Sequence, residues 1–280
     1  MKYLIRAICL VSLLMSLAIP VASGDCGAVV TSASLSSPSV SQPGTPHYRY
    51  DIIKRIPHDR TAFTQGLVFY QGKLFESTGL RGESSVRRID SETGAVEQIG
   101  RLPGALFGEG LAIWKHRLLQ LTWTSGTGLI HRPDDLSEVG RFSYVGEGWG
   151  VAVLDGRLVI SDGSSRLRFL DPNNYRPVAS LRVSDQGHAV DGLNELEIAN
   201  GLIFANIYPG DCIAGIDPAS GKVVTWIDLA GLMPLSLRPR TEAVANGIAY
   251  NPENGHWFVT GKLWPYIYEI TIRGAQRIPL

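Results

Sequence analysis

The sequence predicts an all-β fold, a five-bladed β-propeller, on three observations. Residues 63–79 read as a β-hairpin, two short apolar runs joined by a tight turn at Gln71-Gly72. The pattern returns in 109–123, 149–162, 195–206 and 246–260, which puts Gly66, Gly110, Gly150, Glu195 and Gly247 in equivalent places, 44, 40, 45 and 52 residues apart. A repeat of about that length built from short strands marks a propeller blade, and five copies give five blades. The 31 glycines among 280 residues suit a chain that turns this often.

The elements follow in chain order. Lys2 and Arg6 precede an apolar run that ends at Pro20, with small residues at 21–23, so 1–23 reads as a cleaved signal peptide and the product as secreted or periplasmic. The run is short for a membrane span, and Asp25 before Cys26 does not fit a lipoprotein signal. Residues 24–46 form a Ser/Pro-rich linker, expected to be disordered because it has little apolar surface to bury. The propeller occupies 47–280. Within it, 48–57 alternates like a strand but stands outside the five hairpins. It is assigned as the outer strand of the last blade, closing the ring so that no free edge is left at the ring junction.

Each hairpin is followed by a second strand pair, as at 85–90 and 95–98, 166–171 and 178–181, and 212–217 and 223–226. Asp90, Asp171 and Asp217 begin the connecting turns, where a carboxylate caps backbone N–H groups; their role is structural. Gly72, Gly156 and Gly201 are turn residues as well.

With 26 basic and 26 acidic residues, the zero net charge argues against nucleic acid or an anionic membrane surface as partner. Three cysteines cannot form a disulfide framework. After signal removal Cys26 and Cys212 remain, either bridged in an oxidising compartment or as two free thiols with Cys212 buried. No histidine lies near either, so a nucleophilic cysteine is not expected. Phosphate loops, CxxC pairs, HExxH helices and nucleophile elbows are missing, and the six histidines lack ligand spacing; no metal or cofactor is expected.

Inner strands of a propeller line its central channel. Here they open on polar residues, Gln65, Glu109, Glu147 with Trp149, Asn194 with Glu195, and Asn246, and their hairpins end in Glu76, Trp123, Asp162, Asn206, Lys262 and Trp264. Channels also hold hydrogen-bonded polar side chains that do no chemistry, so each residue has a structural alternative. Several carboxylates around one axis would nonetheless raise at least one pKa, as a group exchanging protons near neutral pH requires. Trp123, Trp149 and Trp264 are either core or the walls of a small-ligand pocket.

On these motifs the chain resembles the bacterial and plant-type glutaminyl-peptide cyclotransferases. The similarity runs in order through Phe63-Thr-Gln-Gly-Leu67, Glu76-Ser-Thr-Gly-Leu80, Gly108-Glu-Gly-Leu111, Leu121-Thr-Trp123 and Glu147-Gly-Trp-Gly150. It continues through Ser161-Asp-Gly-Ser164, Asn194-Glu-Leu-Glu197, Asn246-Gly-Ile-Ala249 and Thr260-Gly-Lys-Leu-Trp-Pro265, covering about residues 48–272. The family's fold is a five-bladed propeller, in agreement with the repeat count. One departure is Asn206-Ile-Tyr208, where Trp is expected in place of Tyr208; it alters the mouth of the pocket without removing a carboxylate.

The resemblance implies cyclisation of N-terminal glutamine to pyroglutamate with release of ammonia. One carboxyl can serve as base to the α-amine and acid to the leaving nitrogen, and because nucleophile and electrophile are tethered no covalent enzyme intermediate is needed. Glu109 is the expected proton shuttle, with Glu76 and Glu195 as competing choices. Gln65, Asn194, Asn206, Lys262 or an indole N–H are candidate oxyanion donors, and Trp123, Trp149 and Trp264 are expected to wall the glutamine side chain. Glu147, Asp162 and Asn246 complete the expected substrate-binding set. Glutaminyl peptides are then the partners of a monomer. Two alternatives stand beside this reading: a propeller lactonase whose metal would be held by Glu109, Asn194 and Asn246, and a non-enzymatic binding propeller.

Overall fold

The computed structural model describes Cys26 and residues 44–274. The expected signal peptide and nearly all of the expected linker lie outside the described residues. Five antiparallel four-stranded sheets follow one another in sequence, each with its first strand innermost. Blade one contains Thr64–Tyr70, Lys73–Thr78, Ser85–Asp90 and Val96–Arg101. Blade two contains Gly108–Trp114, Arg117–Thr122, Thr127–His131 and Glu138–Ser143. Blade three runs through Val151–Leu154, Arg157–Ile160, Arg166–Leu170 and Pro177–Arg182. Blade four comprises Leu193–Ala199, Leu202–Ile207, Cys212–Ile216 and Val223–Asp228.

Blade five has three strands of its own, Ala245–Asn251, His256–Gly261 and Tyr266–Ile272. Its outer strand is Tyr50–Pro57, paired antiparallel with Tyr266–Ile272, so the N-terminal strand closes the ring as expected. His47–Tyr48, which lay beyond the sequence reading, adds a parallel fifth strand to the outer edge of blade four. Of the two states open to Cys26 and Cys212, the structure shows the bridge, which ties Cys26 to that blade. The added strand covers part of an edge that would otherwise offer unpaired backbone groups.

Apolar residues alternate so that each blade packs face to face on the next. Leu196, Ile203, Ala214 and Trp226 of blade four meet Val159, Leu167 and Phe169 of blade three, all buried. The turns behave as the sequence predicts: Asp90 accepts N–H bonds from Glu92 and Thr93, Asp171 from Asn173 and Asp217 from Ala219.

Close to the axis the strands nearly touch. A Cβ on Gly66 would lie 2.6 Å from the Leu111 nitrogen, one on Gly110 2.6 Å from the Val151 nitrogen, and one on Gly150 2.1 Å from the Asn194 oxygen. Only glycine permits that approach. The fourth blade carries Glu195 at the equivalent position. It uses the cleared space: its fully buried carboxylate accepts the Leu67 N–H (3.2 Å) of blade one and the Ile248 N–H (2.9 Å) of blade five. This waist divides the channel into an upper pocket and a lower cavity that share no lining residue.

Candidate active site

Four inner strands carry one extra residue at the same place. The register slips between Thr64 and Gly66, Gly108 and Leu111, Leu193 and Leu196, and Ala245 and Ile248. Such bulges re-aim side chains. The residue just above the waist glycine, or above Glu195, is Gln65, Glu109, Trp149, Asn194 or Asn246, and the first four line the upper pocket.

Two further repeat positions complete it. Three residues before the waist stand Phe63, Phe107, Glu147, Gly192 and Val244. At or shortly after the end of the second strand, thirteen residues beyond the waist in blades one to four, stand Gly79, Trp123, Gly163 and Tyr208, with Lys262 in blade five. In four blades the backbone N–H of the latter position bonds the carbonyl of the former: Gly79 to Phe63, Trp123 to Phe107, Tyr208 to Gly192 and Lys262 to Val244. The two glycines leave room for neighbours, since a Cβ on Gly79 would strike the Phe107 ring at 2.3 Å and one on Gly163 the Trp149 ring at 2.6 Å.

The result is a pocket of about 240 Å³ lined by Phe63, Gln65, Phe107, Glu109, Trp123, Trp149, Asn194, Tyr208 and Lys262. Phe63 packs edge-on against Phe107 and Phe107 against Trp123, with centroids 6.1 and 5.6 Å apart. Opposite, Trp149 meets Tyr208 edge-on at 5.9 Å. Glu147 accepts both pocket indoles on one oxygen, at 2.8 Å from Trp123 and 2.9 Å from Trp149. Arg168 in turn donates to the Glu147 carbonyl.

Glu109 is almost wholly buried. Burial, with a smaller push from Glu147, lifts its carboxyl well above the ordinary range, while Lys262 and a hydrogen bond from Gln65 pull the other way. Gln65 is itself fixed, its Oε1 accepting Asn246 Nδ2 at 2.8 Å. Burial lowers the Lys262 ammonium, against the attraction of Glu109 and Glu242. Its Nζ lies between two rings, 5.0 Å from the Phe63 centroid and 4.9 Å from that of Tyr208. Asn194 Oδ1 is buried with no hydrogen-bond partner among the described residues, an acceptor open to an incoming N–H.

The remaining sequence candidates lie elsewhere. Glu76 is fully buried in blade one, where it accepts His58 Nε2 at 2.9 Å and Thr64 Oγ1 at 2.6 Å, with Arg87 at 3.7 Å. Burial raises its carboxyl, but His58, Arg87 and Thr64 outweigh that and hold it below the ordinary range. Glu195 is the waist residue, lifted by burial and by Glu197 and engaged by two backbone donors. Asp162 caps Ser164 and pairs with Arg168 at 3.5 Å. Asn206 accepts the Gly247 N–H, Asn246 turns toward Gln65 and the Thr64 carbonyl, and buried Trp264 donates its indole to the Ala243 carbonyl. Asn246 is absent from the pocket lining that Glu109 and Asn194 share. Among the described residues no group of three or more His, Cys, Asp or Glu is placed to hold a metal ion.

Phe63 and Phe107 escaped the sequence reading although both stand three residues before a waist glycine, a shared offset that pointed to them.

Residues 26–272 match the family described as glutamine cyclotransferase. A glutaminyl-peptide cyclotransferase of Arabidopsis thaliana is 41% identical over 231 residues, covering 81% of this chain and 72% of that protein. The crystal structure of Myxococcus xanthus glutaminyl cyclase superposes with a TM-score of 0.76 at 40% identity, over 82% of this chain and 98% of the other.

Proposed function

Because the chain belongs to the glutamine cyclotransferase family, we propose that its upper pocket holds an N-terminal glutamine and that Glu109 moves the proton in its cyclisation. The chain converts N-terminal glutamine to pyroglutamate with release of ammonia. In the proposed course the neutral α-amine attacks the side-chain amide carbon, forming the ring C–N bond. Glu109 accepts the proton that the amine loses and returns it to the departing NH2, so that the exocyclic C–N bond breaks and NH3 leaves. A carboxyl lifted by burial suits both halves, since a proton carrier works best with a pKa near the working pH.

Lys262 and Asn194 Nδ2 are the donors open to the oxyanion. The indole N–H groups of Trp123 and Trp149 are committed to Glu147 and Asn206 is absent from the pocket lining, so neither serves. Asn194 Oδ1 is available to receive the α-amine, and the rings of Phe107, Trp123, Trp149 and Tyr208 enclose the aliphatic part of the glutamine. The observation that carries the reading is one buried carboxyl in an aromatic pocket, opposed by one buried lysine.

The test is ammonia release from a glutaminyl peptide by the mature protein. Glu109→Gln should keep the fold and lower kcat by about 10²–10⁴, the usual share of general acid–base catalysis. Near-wild-type turnover in that variant would remove Glu109 from the role. An EDTA arm separates the metal-dependent alternative, whose activity chelation would abolish.

We further infer export with cleavage of the first 23 residues, a reading supported by the Cys26–Cys212 disulfide, a bond typical of oxidising compartments. No helix among the described residues is long and apolar enough to cross a membrane. A ring closed by its own N-terminal strand leaves no open blade at the junction and favours a monomer.

A further inference from the structure

Arg81 stands just beyond the second strand of blade one, in the turn that follows Gly79, with its side chain exposed. Its guanidinium lies over the ring of Trp123, 5.8 Å from the centroid. Two bonds hold it there, Nε to the Ala105 carbonyl and Nη2 to Thr124 Oγ1, both 3.3 Å. Trp123 is the pocket wall, so the indole carries the substrate cavity on one side and this cation on another. Other arginines near the pocket are neutralised, Arg168 by Asp162 and Arg238 by Asp211. Arg81 joins no ion pair among the described residues, and even its near neighbour Glu83 does not reach it. A guanidinium has five N–H donors, of which two are used here, and its planar fork matches a carboxylate.

In a bound peptide the glutamine side chain and α-amine fill the pocket, and the chain must leave across the mouth. Consecutive Cα atoms are about 3.8 Å apart, which brings the second and third residues to the rim formed by Trp123. We propose that Arg81 is a specificity-determining residue that reads an acidic side chain at the second or third position of the substrate. The proposal rests on the cyclase reading and adds a substrate class to it: peptides that begin with glutamine followed closely by aspartate or glutamate.

The experiment measures kcat/KM for Gln-Ala-Ala, Gln-Glu-Ala, Gln-Ala-Glu, Gln-Lys-Ala and Gln-Ala-Lys amides with the wild type and with Arg81→Lys, Arg81→Gln and Arg81→Glu. Each charged peptide is normalised to Gln-Ala-Ala in the same variant, so that a general loss of activity cancels. An exposed charge pair should favour an acidic peptide over its lysine counterpart by about two- to fivefold, mostly through KM. The gap should narrow in 0.5 M NaCl, where screening is nearly complete within a few ångströms. Arg81→Lys should retain part of the preference, Arg81→Gln lose it and Arg81→Glu reverse it. Ammonia from Gln-Ala-Ala without any charge preference in the wild type, or a preference that survives Arg81→Glu, overturns the proposal alone. No ammonia from any peptide overturns the cyclase reading and this proposal with it.

Discussion

Glu147 touches no substrate in the proposed arrangement, yet it should control both the grip of the pocket and its pH response. One of its carboxylate oxygens receives two indole N–H groups, from Trp123 and Trp149 on opposite walls. Hydrogen bonds to a charged acceptor contribute about 1.5–3 kcal/mol each, and a neutral acceptor about half of that. Glu147→Gln keeps an oxygen and loses the charge. Because both indoles are half-buried, the loss discounts to about 1–2 kcal/mol for the pair, a factor of about 5–30. That loss should appear as a raised KM, since the walls then have to be set by the substrate itself. Glu147→Ala, with no acceptor left, should raise KM further.

The second consequence is electrostatic. The negative charge of Glu147 helps to hold the Glu109 proton, so removing it lowers the pKa of Glu109. The acid limb of kcat, where Glu109 gains its proton, should then move to lower pH. Steady-state ammonia release across pH reads both effects in one data set. If KM stayed within twofold in both variants, aromatic packing alone would be fixing the walls. If the acid limb moved upward, the assigned direction of the Glu147 influence would be wrong.

His58 donates to both the Trp264 carbonyl, 2.8 Å, and Glu76, 2.9 Å, which requires an imidazolium, and although burial opposes its charge, Glu76 and that carbonyl raise its pKa overall. Its stabilisation is present in full below the ordinary histidine pKa of about 6.5 and is lost as pH climbs through the raised value, so urea midpoints of the wild type should fall on the alkaline side. His58→Ala strands Glu76 and should cost about 3–5 kcal/mol near neutral pH, with part of it recovered in the double variant with Glu76→Gln. Gly110→Ala sets a Cβ 2.6 Å from the Val151 nitrogen and 2.7 Å from Gly150 Cα, so thermal melts should show a large loss of Tm or no folded protein. Tyr208→Ala removes a pocket wall and one ring from beside Lys262; KM should rise by an order of magnitude, a cation–π contact in a desolvated site being worth about 1–2 kcal/mol, whereas Tyr208→Trp should stay close to the wild type.

The fold was legible because blades are local. Hairpin and turn signals at each copy, together with the spacing of Gly66, Gly110 and Gly150, suffice to count them. Closure by Tyr50–Pro57 was legible too, from a strand left over after the count. The site was legible in kind but not residue by residue. Glu76 and Glu109 look alike in sequence, each a carboxylate in an apolar strand. What separates them is His58 from the closing segment, which meets Glu76 only once the ring has formed. Asp162 stands one position before the pocket-facing place, beyond the end of its strand, where it caps Ser164; Asn206, two positions before Tyr208, keeps the same face of its strand but lies one pleat deeper, where it accepts the Gly247 N–H. The bulges that turn Gln65 and Glu109 upward leave no composition signal, because they are defined by the partner strand.

The waist formed by Gly66, Gly110, Gly150 and Glu195 makes the pocket a socket with a single doorway. With the glutamine seated there as proposed, a polypeptide has no way to thread past the waist, so a glutamine inside a chain could not present itself and only a free end would fit. On that arrangement the start of a protein is recognised by shape before any chemistry begins. The same doorway must also pass the ammonia and the cyclised end outward, so each turnover has to clear the opening before the next chain end can occupy it.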